Sequence, residues 1–222
     1  MLESTRRSVR SAATRSDTVS ANVISLVSAA LIVLVPSSIS EASSAGLVTF
    51  AAVASSMTDR EARAIAEAGE IANVVKNSDC FRDFIAKRKL VGTRGRTADE
   101  VAEDLRHVSG SVPVEFYFRC LGAMGGCGTA VAYRLPPDPT VYINRAYYRV
   151  GAPDFDLYEL AGSLAHEAIG HALGGYEHSF DWTPLRDFSV PYSISGASKE
   201  NDDAFRHCRA PLGFLTAATG PG

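Results

Sequence analysis

The chain has 222 residues, a formal net charge of −3 and a pI near 6.0, and 46% of its residues are hydrophobic. This length suits one domain, and the hydrophobic fraction is sufficient for a packed core. The slightly negative charge gives no electrostatic basis for a nucleic-acid partner, because such partners need a basic surface.

The first segment, residues 1–45, has the order of a secretory signal peptide. Four arginines precede a largely apolar, uncharged run at 23–35, and small residues follow that run. A basic region, an apolar core and a small-residue cleavage site in this order are typical of export signals. Cleavage after Ala42 or Ala45 predicts a secreted or periplasmic protein without stable membrane association. A retained anchor is the alternative, although the run is short for a membrane span, which needs ~20 residues.

The next region, residues 46–110, is predicted to be helical. Thr-x-x-Glu occurs at 58–61 and again at 97–100, and this pattern is a capping box that begins a helix. The first helix is therefore expected to start after residue 58, and another is expected to run from 97 to about Val108. A short helix between them is expected at 79–89.

Residues 111–222 are predicted to contain a small sheet, a main helix and an irregular C-terminal part. Strand-forming residues concentrate at 112–119, 129–134 and 140–144. Asp156 is predicted to begin the main helix. The expected fold class is α+β, with this region and the preceding helices forming one domain.

Three of the five histidines, His166, His171 and His178, lie within thirteen residues of one another. In a regular helix, positions i and i+4 lie about 40° apart around the axis, but positions i and i+5 lie about 140° apart. His166 and His171 could not share a metal in that geometry. A π-bulge restores a shared face, and Gly170 is the residue that best tolerates the distortion. The glycine pair at 174–175 is expected to end the helix and return His178 to the site.

The string at 166–171, His-Glu-x-x-Gly-His, resembles the zinc motif of the dipeptidyl peptidase III family, in which the same insertion occurs. The wider segment resembles the metzincin pattern His-Glu-x-x-His-x-x-Gly-x-x-His with one extra residue in each gap. It also resembles a group of secreted bacterial zincin-like proteins in which a Tyr-Ile-Asn strand, a Leu-Ala-His-Glu helix and a Ser-Val-Pro-Tyr segment follow one another, here at 142–144, 164–167 and 189–192. These resemblances imply a zincin-like α+β fold. The metzincin methionine turn has no counterpart, because no methionine follows Met124.

Neutral imidazoles are zinc ligands, so His166, His171 and His178 are predicted to bind one zinc ion. Three protein ligands leave one position open, which is typical of catalytic zinc sites. Glu167 is then the predicted general base, which takes a proton from a water activated by the metal. Tyr192 is a candidate to donate a hydrogen bond to the oxyanion or to bind the metal weakly, and a tyrosine packed in the core is the alternative.

Carboxylates could also supply the third ligand. Glu200 follows the motif and could begin a further helix, Asp181 and Asp187 lie nearer to it, and Glu177 precedes His178 directly. His178 is preferred, because neutral imidazole suits zinc and the glycine turn before it is in place.

The function predicted from these residues is that of a secreted zinc metallopeptidase acting on a peptide or protein substrate. By resemblance to zincins, the strand at 140–144 is expected to be the sheet edge that receives the peptide. The alternative is a non-catalytic, disulfide-stapled secreted or envelope protein with a structural or degenerate metal site. Glu167 separates the two, because a structural site has no need of a carboxylate beside its first ligand.

All four cysteines lie after the proposed cleavage site, which predicts two disulfides in an exported protein. Three connectivities are possible. Cys120 and Cys127 flank a glycine-rich loop, and a local bond between them would leave Cys80 to pair with Cys208.

The secreted protein is expected to begin near Ser43 or Gly46 and to contain two disulfides. Intact mass spectrometry of secreted material, before and after reduction, measures both properties. Four free thiols, or an uncleaved chain in the membrane fraction, would contradict this prediction.

Overall fold

A computed structural model describes residues 45–117, 131–134, 136–178, 188–196 and 202–214. Its elements, in chain order, are β1 (Val48–Ala52), a 3-10 turn (Ala54–Ser56), α1 (Asp59–Lys76), α2 (Asp79–Ala86), α3 (Ala98–His107), β2 (Gly110–Tyr117), β3 (Ala132–Arg134), β4 (Val141–Asn144), α4 (Leu157–Leu164), a π-helical segment (Ala165–Leu173), α5 (Val190–Ile194) and α6 (Ala204–Arg209). The predicted signal peptide up to residue 44, together with Cys120 and Cys127, lies outside the described residues.

The sheet is mixed and has the strand order β1-β2-β4-β3. β2 runs parallel to both β1 and β4, whereas β3 is antiparallel to β4. This arrangement confirms the α+β class. The expectation that residues 140–144 form the edge strand is wrong: β4 has a partner on each side, and β3 forms that edge of the sheet among the described residues. Pairing order depends on distant segments, so the local composition of β4 could not reveal it.

β1 was not predicted from the sequence. Its residues are Val-Thr-Phe-Ala-Ala, and alanine is depleted in strands. Val48 and Phe50 point inwards while Thr49 and Ala51 are exposed, so the strand buries one face against α1. The region predicted as helical therefore begins with the outer parallel strand of the sheet.

Helix starts agree with the sequence, because capping is a local interaction. Thr58 with Glu61, and Thr97 with Glu100, both form complete capping boxes. α1 then packs against β1 and α4 through small and branched side chains. The buried residues of this face include Ala64, Ile65, Ala68, Ala72 and Val75.

Two buried charged residues of α1, Glu61 at its start and Lys76 at its end, connect the helix to the rest of the molecule. The carboxylate of Glu61 accepts hydrogen bonds from Arg145 Nε at 2.6 Å and Arg145 Nη2 at 3.0 Å. Burial raises the pKa of Glu61, but the bonds from Arg145 and Thr58 outweigh that effect and lower it overall. This pair holds the start of α1 against the chain that leaves β4.

One disulfide joins Cys80 in α2 to Cys208 in α6, across a sequence separation of 128 residues. It confirms the Cys80–Cys208 pairing and attaches the C-terminal helix to the N-terminal half of the fold. Among the described helices, none combines the length and the apolar character required to cross a membrane.

Lys76, at the end of α1, is fully buried. Its Nζ donates to the carbonyl oxygens of Gly46 at 2.7 Å, Arg106 at 2.6 Å and Val108 at 3.3 Å. The ammonium therefore links α1 to the start of β1 and to the segment after α3.

Lys76→Met is expected to lower the free energy of unfolding by about 2–3 kcal/mol, because methionine fills the space but removes the charged hydrogen bonds from Nζ to these carbonyl oxygens. Lys89→Met, at an exposed position, is the control and should change it by less than about 0.5 kcal/mol. Chemical denaturation of both variants gives the comparison. Equal stability of the two variants would contradict the assigned role of Lys76.

Candidate metal centre

The helix that carries the metal motif changes its winding within the motif. Asp156 caps α4 by accepting hydrogen bonds from the backbone N–H groups of Tyr158 and Glu159, as predicted. α4 then continues into the π-helical segment Ala165–Leu173. In a π-helix the hydrogen bond spans five residues instead of four, so His166 and His171 lie one turn apart on one face. The predicted π geometry is confirmed, although it extends over nine residues instead of one bulged turn.

Gly170 lies in this segment for a reason that the sequence did not show. A Cβ at this position would lie 3.1 Å from Pro191 Cβ and 3.3 Å from Ile194 Cδ1. Gly170 is not among the residues with positive φ. Its small size is therefore required by the close approach of α5 instead of by an unusual backbone conformation.

The glycine pair returns the chain to the site, as the sequence predicts. A Cβ on Gly174 would overlap the carbonyl oxygen of Ile169, and Gly175 has a φ of 70°, which is the left-handed region. The N–H of Gly175 donates to His171 O at 2.8 Å, and the N–H of the residue that follows it donates to Gly170 O at 2.9 Å. This cap directs the chain back towards the helix.

The turn brings the third histidine to the first two. His178 Nε2 lies 2.9 Å from His166 Nε2 and 2.9 Å from His171 Nε2. The ligand atoms of all three residues lie within 4.8 Å of one another. The structure therefore assembles the three histidines that the sequence selected into one cluster that can hold a metal ion.

Backbone carbonyl groups orient two of these rings. His166 Nδ1 donates to Ser195 O at 2.7 Å, and His171 Nδ1 donates to Tyr176 O at 2.5 Å. A neutral imidazole that donates through Nδ1 carries its lone pair on Nε2. Burial lowers the pKa of His166 to about 3 and also lowers that of His171, so both rings are neutral near pH 7 and present Nε2 to the centre.

The donor set fits a transition-metal ion. Two Nε2 lone pairs point at a third Nε2, which could donate a hydrogen bond to only one of them, whereas a cation at the centre would attract all three. Tetrahedral nitrogen ligands about 2.0–2.1 Å from zinc lie roughly 3.3 Å from one another. The two separations of 2.9 Å lie about 0.4 Å below that spacing.

Glu167 lies beside the cluster and is 6% exposed. Burial raises the pKa of Glu167 to about 8, and the positive charge of Arg134 opposes that increase. A cation close to the carboxyl group would favour its ionised form. A buried glutamate is usually paired with a cation, and Glu167 has no ion pair among the described residues. Its position beside three histidines that can bind a metal ion therefore suggests a chemical role.

Tyr192, on α5, packs against the cluster. Its ring stacks on that of His178, with centroids 4.7 Å apart, and meets the ring of His166 edge-on at 5.0 Å. The side chain is 8% exposed and borders the cleft described next. The structure therefore places Tyr192 beside two of the ligands, and its catalytic role stays a prediction.

The cluster opens into a cleft of about 520 Å³. The strand β3 borders one part of the cleft, and residues of α4, the π-helical segment, α5 and α6 border other parts, together with Tyr147 and Tyr148. Glu177 also borders it but does not belong to the ligand cluster. The carboxylates of Glu200, Asp181 and Asp187, which the sequence also offers as third ligands, lie outside the described residues.

Two features of the site had no usable signal in the sequence. The carbonyl groups of Ser195 and Tyr176 orient the ligands, and any residue type can supply a carbonyl. Arg134, at the end of β3, faces the cleft, but a single arginine in a strand does not reveal which pocket it will border.

Comparison with known proteins identifies no family for this chain: no family model, curated protein or solved structure matches it. We therefore argue its function from the geometry of the site.

His171→Ala is expected to abolish tight, stoichiometric metal binding, since it removes one of three ligands. The loss in affinity should exceed the ~10–100-fold that follows removal of an outer hydrogen-bond partner. His107→Ala is the matched control, because His107 is exposed at the end of α3 and its Nδ1 lies 2.8 Å from Glu103 O. Elemental analysis of the purified variants measures the difference. Undiminished metal content in His171→Ala would exclude the assigned ligand set.

Proposed function

We propose that the protein is a secreted zinc metallopeptidase of the zincin type. The observation that carries the proposal is the joint position of three convergent imidazole Nε2 atoms and the buried carboxyl group of Glu167 in one cleft. Three histidines with no fourth ligand among the described residues suit zinc in a catalytic site, because an open position accepts water or substrate.

His166, His171 and His178 would hold the ion through Nε2. A zinc ion bound there supplies Lewis acidity, which acidifies water and polarises a carbonyl group. The carbonyl groups of Ser195 and Tyr176 keep two of the rings in the tautomer that this binding needs, since they occupy Nδ1.

Glu167 would move the proton. Its carboxylate oxygens accept a proton from the attacking water and then transfer it to the nitrogen of the departing amine. Burial keeps the carboxyl group away from bulk water, which strengthens its interaction with charge that develops in the cleft. Tyr192 is proposed to donate a hydrogen bond from its hydroxyl group to the oxyanion.

A peptide substrate is supported by the edge strand. β3 has a neighbour on one side only within the described sheet, and its residues border the cleft beside Glu167. An extended peptide can pair with such an edge through its backbone. The substrate would then run antiparallel or parallel to β3 along the cleft.

Export is part of the proposal. The order of basic, apolar and small residues before position 46 supports it, and so does the disulfide Cys80–Cys208. Disulfides persist in oxidising compartments, whereas cytosolic thiols are kept reduced.

Glu167→Gln tests the proposed mechanism, because the amide keeps the shape of the side chain but cannot accept the proton. Cleavage of a broad peptide library should fall by at least ~10²-fold, the low end for the loss of a general base. Zinc content should stay close to that of the unmodified protein.

Glu70→Gln makes the same chemical change at an exposed position of α1, and it should retain both zinc and full activity. If Glu167→Gln cleaves as fast as the Glu70→Gln control, Glu167 is not the base. If the unmodified protein binds zinc and cleaves no library member, the non-catalytic alternative replaces the proposal.

A further inference from the structure

Arg134 is the last residue of the edge strand and borders the cleft together with Glu167 and His171. Arg134 forms no ion pair with any residue in the described part of the chain. The guanidinium group of Arg134 therefore lies in the same cleft as the carboxylate of Glu167 without forming an ion pair with it.

The guanidinium group is held in place from one side. Arg134 Nε donates to Asp138 O at 3.1 Å. The carboxylate of Asp138 is already occupied, because it accepts hydrogen bonds from Thr140 N at 2.8 Å and Tyr142 Oη at 2.9 Å. Asp138 therefore orients the arginine through its backbone, while the two terminal amino groups of Arg134 have no acceptor among the described residues.

The other arginines of the cleft differ in this respect. Arg206 lies 3.4 Å from a carboxylate oxygen of Asp203, and Arg209 lies 2.8 Å from one of Asp156. The first pair lies within α6 and its N-cap, and the second joins α6 to the N-cap of α4. Arg134 alone among these three arginines presents the free side of its guanidinium fork to the cleft.

A planar guanidinium fork matches a carboxylate, which it binds through two parallel hydrogen bonds. We propose that Arg134 binds a carboxylate of the substrate, so that the cleft selects peptides with a carboxylate close to the bond that is cleaved. The carboxylate is either the α-carboxylate of the peptide or the side chain of an aspartate or glutamate. The inference rests on the proposed function for the statement that the ligand is a peptide.

Binding to the zinc-loaded Glu167→Gln protein tests this inference without turnover. The probes are three pools of mixed hexapeptides: one with a free C-terminus and no acidic residue, the same pool amidated, and an amidated pool with one glutamate at each position in turn. Equilibrium dialysis with detection by mass spectrometry gives the affinity for each pool.

One or both carboxylate-containing pools should bind about tenfold or more tightly than the amidated pool, as expected for a charge-assisted hydrogen-bonded pair. The pool that binds identifies the source of the carboxylate. A second substitution, Arg134→Gln, should abolish the preference. Arg134→Lys should restore part of it, because lysine keeps the charge but loses the fork.

Arg206→Gln is the matched control, since it removes the same charge from the same cleft, and it should leave the preference intact. Two results would overturn the inference: no preference in the parent protein, including no binding of any pool, or a preference that survives in Arg134→Gln, which would assign the carboxylate to the metal. The proposed function is judged separately by cleavage with active protein, so either can fail without the other.

Discussion

The separation of five residues between His166 and His171 is the constraint on which the rest of this site depends. A regular helix would direct the two rings to different faces, so the chain must use π-helical hydrogen bonds to bring them together. The π-helical segment is held by its surroundings: α5 packs directly on Gly170, and the turn at the glycine pair closes the C-terminal end. The wider winding, which is unfavourable in isolation, is stabilised by tertiary contacts.

Several ordinary rules of folding are broken at this one place. A glycine lies inside a helix, a glutamate is buried with a raised pKa, and three imidazole nitrogens face one another. Natural proteins tend to concentrate such exceptions at functional sites. A ligand that binds only the folded cluster would stabilise the native state by mass action, so a bound metal ion would offset part of the cost of this arrangement.

The cleft is built from segments that are far apart in sequence. The disulfide between α2 and α6 and the ion pair of Arg209 with Asp156 hold α6 as one wall. The strand β3 forms another wall and presents Arg134. The arginines of α6 are thus neutralised by internal pairs, whereas the wall at β3 carries a positive charge in the cleft of the histidine cluster.

The sequence by itself determined what depends on neighbouring residues. The capping boxes at Thr58 and Thr97 located two helix starts, and the five-residue spacing of His166 and His171 required a π-helical turn if both were to bind one ion. These features could be predicted because their hydrogen bonds and angles are set within a few residues. The tertiary structure decided what depends on distant segments: β1 pairs with β2, β4 lies inside the sheet while β3 forms its edge, and the Ser195 carbonyl meets His166. Such contacts follow from strand pairing and packing over long separations, for which a local pattern carries no physical information.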